Sequence, residues 1–154
     1  LPPAIRKLKK RDKERPDTAP HVIPLSKQAV AILRDLQLLT GRGRYLFPGA
    51  RDPKRHMSDG AINAALARLG FKGEMVGHGF RHMASTMLRE MGWSREAVEA
   101  QLSHTVGGTE GVYNLAKHLP ERRKMMQAWA DYLDNLRNGT NVVPIKRKNS
   151  GSSR

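Results

Sequence analysis

Apolar residues recur at intervals of three and four through much of this chain, and a glycine follows most of these runs. This spacing places the apolar side chains along one face of an α-helix. Glycine is common just past a helix end because it adopts the left-handed backbone conformation without steric cost. The pattern predicts helices over residues 26–39, 58–69, 79–91, 94–103 and 120–138. The chain is therefore predicted to be mainly α-helical.

Each predicted helix has its own apolar face. In chain order, the faces are Val30, Leu33 and Leu36; Ile62, Leu66 and Leu69; Phe80, Ala84, Met87, Leu88 and Met91; Val98 and Leu102; and Met125, Trp129, Leu133 and Leu136. The predicted caps are Ser26, Ser58 and Ser94, because a serine oxygen can accept a hydrogen bond from the first N–H groups of a helix. The predicted terminating glycines are Gly70, Gly92 and Gly139.

The first 25 residues have a different pattern. A basic run from Arg6 to Arg15 precedes a strand-like segment from His21 to Leu25, and two proline-containing pairs lie between them. Proline with aspartate marks turns, and a turn between two extended segments predicts an antiparallel β-hairpin. The predicted fold class is thus mainly α (α+β), with a small antiparallel β-hairpin near the N-terminus.

The chain is strongly basic, with 28 Lys and Arg against 14 Asp and Glu and a formal net charge of +14. Residues 1–15 hold seven basic and two acidic side chains, and residues 140–154 hold four basic side chains and no acidic one. This charge indicates a polyanionic partner, and nucleic acid is the expected one. Zero cysteines exclude disulfides, cysteine nucleophiles and thiolate zinc sites. Without a membrane-length apolar run or a signal-peptide pattern, a soluble, cytoplasmic protein is expected.

Four residues that can handle a phosphate lie between positions 78 and 113. His78 and Arg81 are three apart and so share a face if a helix begins there. Arg81 offers a planar fork of donors that suits a phosphate, and imidazoles donate or accept near neutral pH. Tyr113 follows His104 by nine residues, and its phenol can act as a nucleophile. Together they indicate phosphoryl transfer from a nucleic-acid backbone to a phenol.

The order and spacing of these residues resemble the tyrosine recombinases, also called the phage integrase family. The resemblance lies in H-x-x-R at His78 and Arg81, L-S-H at Leu102 to His104, and Tyr113. The run YNLAKHLPERRKMMQAWADYL from Tyr113 to Leu133 resembles the integrases of prophages and genomic islands. The resemblance extends from the basic hairpin to about Leu136. It implies a helical catalytic domain, site-specific recombination of DNA, and catalysis without metal or nucleotide cofactor.

The resemblance also implies a role for each motif residue. Tyr113 attacks the DNA phosphate, Arg81 and His104 stabilise its charge, and His78 exchanges the tyrosine proton. A lysine of the hairpin acts as general acid, and aligning Leu1 with the usual start of the strand places Lys7 there. Because the stretch before Pro24 is longer than is common in the family, alternatives remain. These are Lys9, Lys10 and Lys13. Further expected DNA contacts are Lys9, Lys10, Arg11, Lys13, Lys54 and Arg55.

The chain departs from the family in one respect. The family has a second phosphate-binding arginine upstream of the hairpin, and no residue here corresponds to it. Residues 1–139 are accordingly interpreted as a partial catalytic domain that also lacks N-terminal DNA-binding domains, and residues 140–154 as a basic, disordered tail. The expected partner is a double-stranded DNA attachment site, with four copies in the recombination synapse, a monomeric fragment and no membrane.

Three alternatives remain at the sequence level. A type IB topoisomerase uses a similar set of residues, although the stretch after Tyr113 argues against it. A noncatalytic DNA-binding module would share the basic charge. Metal binding is the third, because His78 and His82 are four apart, as in H-E-x-x-H, with His104 as a third ligand. Gly79 stands where that motif has its glutamate, so its general base is missing.

Overall fold

The computed structural model describes residues 21–103 and 118–140. These residues form five helices, which confirms the mainly α prediction. They are α1 (Lys27–Thr40), α2 (Ala61–Arg68), α3 (Gly77–Glu90), α4 (Arg95–Gln101) and α5 (Leu119–Arg137). Each lies within a few residues of its predicted range.

The described residues contain no β-strand, only an isolated antiparallel bridge between Pro48 and His56. There, the Gly49 N–H donates to the Arg55 carbonyl at 2.8 Å, and the Met57 N–H donates to the Phe47 carbonyl at 2.8 Å. The segment from His21 to Leu25, expected to be strand-like, forms no strand within the described residues. The basic limb of the predicted hairpin lies outside the described residues, so the hairpin stays a prediction.

The helix ends confirm four predictions and correct one. Ser94 caps α4, because its Oγ accepts a hydrogen bond from the Ala97 N–H at 3.2 Å. Gly70, Gly92 and Gly139 have φ of +95°, +84° and +68°, the left-handed region that glycine adopts freely. The prediction that Ser58 caps α2 is wrong. Gly60 holds the N-cap position, and Ser58 instead accepts the Ala61 N–H through its backbone carbonyl at 3.0 Å. A turn over Ser58–Ala61 therefore delays the helix.

The chain divides into two compact units, and one boundary falls inside α3, between Ala84 and Ser85. The first unit comprises residues 1–26 and 85–154, and the second comprises residues 27–84. The first unit contains a core in which α4 and α5 pack together. Its buried members are Leu88, Ala97, Val98 and Met125, with Met91, Trp93, Leu102, Met126 and Trp129 packed around them. Val98 of the stripe predicted for α4 and Met125 at the start of α5 are therefore buried as expected, whereas Leu102 and Trp129 are partly buried.

Other parts of the predicted faces are exposed. Leu133 and Leu136, at the end of α5, remain 40% and 52% exposed. In the second unit Leu66 is buried, whereas Ile62 and Leu69 of the same predicted face are 50% and 72% exposed. Helical spacing identifies an apolar face but does not specify whether another element covers it. That is why these three-and-four patterns overestimated burial.

The start of α3 is fixed by α2 within the second unit. The Asn63 Oδ1 accepts a hydrogen bond from the Gly77 N–H at 2.8 Å. This N–H belongs to the first residue of α3, where no backbone carbonyl of the helix is available to it. Ile62 lies so close that a Cβ at position 77 would meet its Cγ2 at 3.2 Å, tighter than most real contacts. A side-chain bond and a close glycine contact thus hold the end of α3 that begins Gly77-His78.

Leu88 should be among the residues whose truncation most destabilises the first unit. Leu88→Ala removes a side chain that is 2% exposed and leaves a cavity beside Val98 and Met125. We expect a loss of about 2–5 kcal/mol in the free energy of unfolding, measured by denaturant titration. Leu136→Ala, on the same unit, is the control and should lose much less because its side chain is half-exposed. Equal losses in the two variants would contradict this view of the core.

Asn63 should stabilise the start of α3 through its acceptor oxygen. Asn63→Ala removes the partner of the Gly77 N–H, and we expect about 0.5–1.5 kcal/mol of destabilisation. Asn63→Asp retains an acceptor and places a negative charge at a helix N-terminus, which the helix dipole favours. It should therefore be at least as stable as the wild type. Denaturant unfolding and amide exchange at Gly77 measure both effects, and no difference between Ala and Asp would refute the capping role.

Candidate functional site

Two of the predicted site residues, His78 and Arg81, lie in the first turns of α3. They are three residues apart on a continuous helix, so the predicted shared face is confirmed. His78 is exposed and Arg81 is partly buried. The N-terminus of a helix carries a partial positive charge, which adds to that of the guanidinium. This end of α3 combines donors and positive charge, as binding of an oxyanion requires.

A third side chain, His82, touches His78. The two imidazole centroids lie 4.8 Å apart and the ring planes are nearly perpendicular, at 85°. This edge-to-face contact follows from their spacing of four, because residues one turn apart are neighbours on a helix surface. His82 is itself exposed. It therefore limits the orientations open to the His78 ring without burying it.

The metal alternative rests on these same histidines. Within residues 21–103 and 118–140, no group of three or more His, Cys, Asp or Glu side chains is arranged to hold a metal ion. His104, the third ligand considered in that hypothesis, lies outside the described residues. The described part of the chain thus supplies two neighbouring imidazoles and no third ligand beside them.

The remaining motif residues fall outside the described part of the chain. These are His104, Tyr113 and Lys7, together with Lys9, Lys10, Arg11 and Lys13. Their roles stay predictions from the sequence. The chain on either side of two of them is described, however. Ser103, with φ of +55°, immediately precedes His104, and His118 follows Tyr113 by five residues at the N-cap of α5.

Lys54 and Arg55, predicted DNA contacts, lie in the exposed loop that the Pro48–His56 bridge closes. Asp52 organises this loop. Its Oδ1 accepts the Lys54 backbone N–H at 3.0 Å, and its Oδ2 lies 3.6 Å from the Arg55 Nε. Because the Arg55 side chain is 84% exposed, this ion pair is weak and leaves the guanidinium accessible. The loop presents both cations to solvent, as contact with a DNA backbone requires.

Arg122 is a residue whose importance was not recognised from the sequence. It lies in the first unit, on α5, and is fully buried. Its Nε donates to the Gln101 Oε1 at 3.0 Å, and one terminal nitrogen donates to the Val22 carbonyl at 2.6 Å. Burial lowers the pKa of this guanidinium, because desolvation disfavours the charged form.

The sequence gives one indication that Arg122 is unusual, its place on the apolar face of α5. It lies three residues before Met125, which is itself fully buried, so both side chains leave α5 on the same face. An arginine on an apolar face is either exposed at the edge of that face or buried with partners. Sequence alone does not distinguish the two, since the partners here are a backbone carbonyl and a glutamine from distant positions.

Among the residues that the structure describes, no helix combines the length and the apolar character needed to cross a membrane.

Comparison with known proteins gives consistent matches. The sequence model of the phage integrase family matches residues 4–118. The integrase of Enterobacteria phage P4 is 46% identical over 123 residues, which cover 77% of this chain and 28% of that protein. Prophage integrase IntS of Escherichia coli (strain K12) is 41% identical over 116 residues, covering 74% of this chain and 30% of IntS. The integrase of Shigella phage Sf6 is 40% identical over 116 residues, again 74% and 30%.

The chain thus spans less than a third of the length of each of these relatives. No solved structure shows significant similarity to it. The match to the family model covers His78, Arg81, His104 and Tyr113 and most of the chain. The motif spacing, the helical fold and these matches agree, and the chain belongs to the phage integrase family.

Proposed function

We propose that this chain supplies the catalytic residues of a site-specific DNA recombinase that integrates or excises a mobile element. Membership of the phage integrase family is the observation that carries this proposal. Two further observations support it. His78 and Arg81 lie together at the start of α3, and the chain has a net charge of +14. A phosphodiester backbone is the polyanion that fits both.

The proposed reaction begins with attack of the Tyr113 oxygen on a phosphorus atom of duplex DNA. A bond forms between that oxygen and phosphorus, and the bond to the 5′-oxygen of the next nucleotide breaks. The product is a 3′-phosphotyrosyl link and a free 5′-hydroxyl. Because the phosphotyrosyl link keeps the energy of the cleaved bond, a 5′-hydroxyl of a partner strand can reverse the step and exchange the strands.

Proton transfer accompanies each bond change. His78 accepts the phenolic proton as Tyr113 attacks, and it returns that proton when the link is resolved. The hairpin lysine, proposed to be Lys7, donates a proton to the departing 5′-oxygen. Histidine suits the first role because its ordinary pKa lies near neutral pH. The edge contact with His82 supports a defined orientation for the ring that takes part.

Charge on the phosphate rises as the fifth bond forms. Arg81 stabilises it through two parallel hydrogen bonds to non-bridging oxygens, and His104 donates another. The N-terminal position of Arg81 on α3 supports this assignment, since the helix end itself favours an anion. No step in this scheme uses a metal or a nucleotide cofactor.

We further propose that the chain acts as part of a longer protein. The relatives named above are more than three times longer than the matched region. Residues 1–139 would form part of the catalytic domain, with the second phosphate-binding arginine and further DNA-binding domains supplied by the rest. The basic residues 140–154 would add contacts to DNA without sequence preference. The proposed partner is a double-stranded attachment site held by four copies, in the cytoplasm and at the nucleoid.

The nucleophile is tested with a suicide DNA, a nicked duplex whose cleaved end diffuses away and traps the covalent adduct. The full-length protein should form an adduct that resists denaturation, and Tyr113→Phe should form none, because the attacking oxygen is lost. Tyr132→Phe is the matched control. Tyr132 lies on α5, where it stacks on Trp129 at 5.6 Å, and its variant should form the adduct normally.

Three outcomes would contradict the proposal. An adduct that persists in Tyr113→Phe would show that another group is the nucleophile. Salt-sensitive DNA binding with no adduct at all would favour a noncatalytic DNA-binding module. Relaxation of supercoiled DNA without exchange of strands between two sites would instead favour a topoisomerase.

Arg81 should contribute to the rate more than to DNA affinity. Arg81→Lys keeps the charge but loses the planar fork, so the single-turnover cleavage rate should fall by roughly 10²–10³-fold. DNA affinity should change little, because many other cations contact the backbone. Arg89→Lys is the control on the same helix, where Arg89 pairs with Glu99. If Arg81→Lys and Arg89→Lys cleave DNA at similar single-turnover rates, Arg81 does not stabilise the reacting phosphate.

A further inference from the structure

We propose that Arg122 is a positioning residue. It holds in place three chain segments of the first unit, each of which adjoins a segment that carries a proposed catalytic residue. The inference rests on the proposed function for its catalytic consequence. Arg122 is buried completely and makes hydrogen bonds to two distant parts of the chain, Val22 and Gln101. It lies beyond residue 118, where the match to the family model ends.

The first connection is to the chain that follows the predicted hairpin. The Val22 carbonyl accepts a hydrogen bond from Arg122 at 2.6 Å, across 100 positions of sequence. Residues 1–15, with Lys7 and the alternative lysines, precede this point. Of residues 21–26, His21, Pro24 and Ser26 are buried and the other three are exposed, so the segment packs on the unit through half of its side chains although it forms no strand. Arg122 therefore fixes the point from which the lysine-bearing segment departs.

The second connection is to the end of α4. Gln101 is the last residue of that helix, and its Oε1 accepts from the Arg122 Nε at 3.0 Å. His104 comes three residues later. Ser103, between them, has φ of +55°, a conformation that side-chain-bearing residues rarely adopt without support from their surroundings. Arg122 thus holds the helix end from which the chain leads to His104.

The third connection is made by the backbone of Arg122, in the first turn of α5. Arg122 is the fourth residue of α5, and its backbone N–H donates to the His118 carbonyl at 2.8 Å. Tyr113 precedes His118 by five residues. The side chain of His118 lies 3.6 Å from Glu121, which further orders this first turn. A displacement of Arg122 would therefore move the end of the segment that carries Tyr113.

A guanidinium suits this task better than an apolar side chain. Its donors point in fixed directions within one plane, so several acceptors are held at fixed angles to one another. A buried hydrophobic residue at this position would fill the space but would leave the Val22 carbonyl and the Gln101 amide oxygen without this donor. The directed hydrogen bonds of Arg122 thus fix the positions of the segments relative to one another, which apolar packing alone does not do.

The test compares cleavage and local order in the full-length protein. Arg122→Met removes the donors, Arg122→Lys keeps a charge without the fork, and Gln101→Leu removes one acceptor with less disturbance. Met125→Ala, on the same buried face of α5, is the matched control for loss of stability, and Arg123→Met is the control for an exposed neighbour. Suicide-DNA cleavage is measured at saturating DNA, with the DNA dissociation constant and the melting temperature of each variant.

We expect Arg122→Met to reduce the cleavage rate per folded molecule by ten- to a hundredfold, the effect of a displacement of about 1 Å in a reacting group. DNA affinity should stay within about twofold, because the phosphate-binding cations remain. Gln101→Leu should reduce the cleavage rate less than Arg122→Met does, and Arg122→Lys should cleave faster than Arg122→Met. Met125→Ala should melt at a lower temperature yet cleave normally per folded molecule. Equal rates per folded molecule for Arg122→Met and Met125→Ala would overturn the inference.

Amide hydrogen exchange tests the anchoring role of Arg122 without relying on DNA cleavage, so it tests this inference independently of the proposed function. In Arg122→Met and Gln101→Leu, amides of residues 22–26, 101–103 and 118–121 should exchange faster, while those around Leu88 should not. If the wild type forms no adduct, the proposed function fails, and exchange still decides whether Arg122 anchors the three segments. Unchanged exchange in all three segments would refute the anchoring itself.

Discussion

The packing of α5 against α4 is the contact on which the first unit depends. Met125 is buried against Leu88, Ala97 and Val98, so α5 shares one small core with α3 and α4, although residues 102–118 separate it from them in the sequence. The same face of α5 also buries the Arg122 guanidinium, whose partners are polar. Apolar contact supplies most of the stabilisation, since it removes area from water, and directed hydrogen bonds add a defined register. The segments proposed to carry Lys7, His104 and Tyr113 adjoin described residues of this unit.

The sequence predicted the helices well because their signals are local. Ser94 as a cap and Gly92 as a terminator each depend on neighbouring backbone geometry, which a few residues determine. Burial was predicted less well. Ile62 and Leu69 fit a helical stripe yet remain exposed, because covering a stripe requires a second element that spacing does not reveal. Ser58 failed as a cap for a related reason, since a turn before α2 competes for its position.

The candidate site shows the same division. His78 and Arg81 could be predicted to share a face because one helix carries both, whereas the roles proposed for His104 and Tyr113 rest on a spacing that resembles a known family. The residues that fix the positions of these segments could not be predicted from the sequence. Asn63 reaches the start of α3 from 14 positions away, and Arg122 reaches Val22 from 100 positions away. Such partners meet only through tertiary structure, and no periodicity encodes them. A sequence therefore shows candidate reacting groups more readily than the residues that hold them.

The proposed reaction requires His78, Arg81, His104 and Tyr113 to act on a single phosphate of DNA. An experimental structure of the full-length protein covalently trapped on its DNA tests this requirement. We expect phosphorus bonded to the Tyr113 oxygen, with nitrogens of Arg81 and His104 at hydrogen-bonding distance, about 3 Å, from its free oxygens. His78 should lie beside the tyrosine oxygen. A trapped complex in which Arg81 and His104 lie on separate faces, away from the linked phosphate, would contradict it.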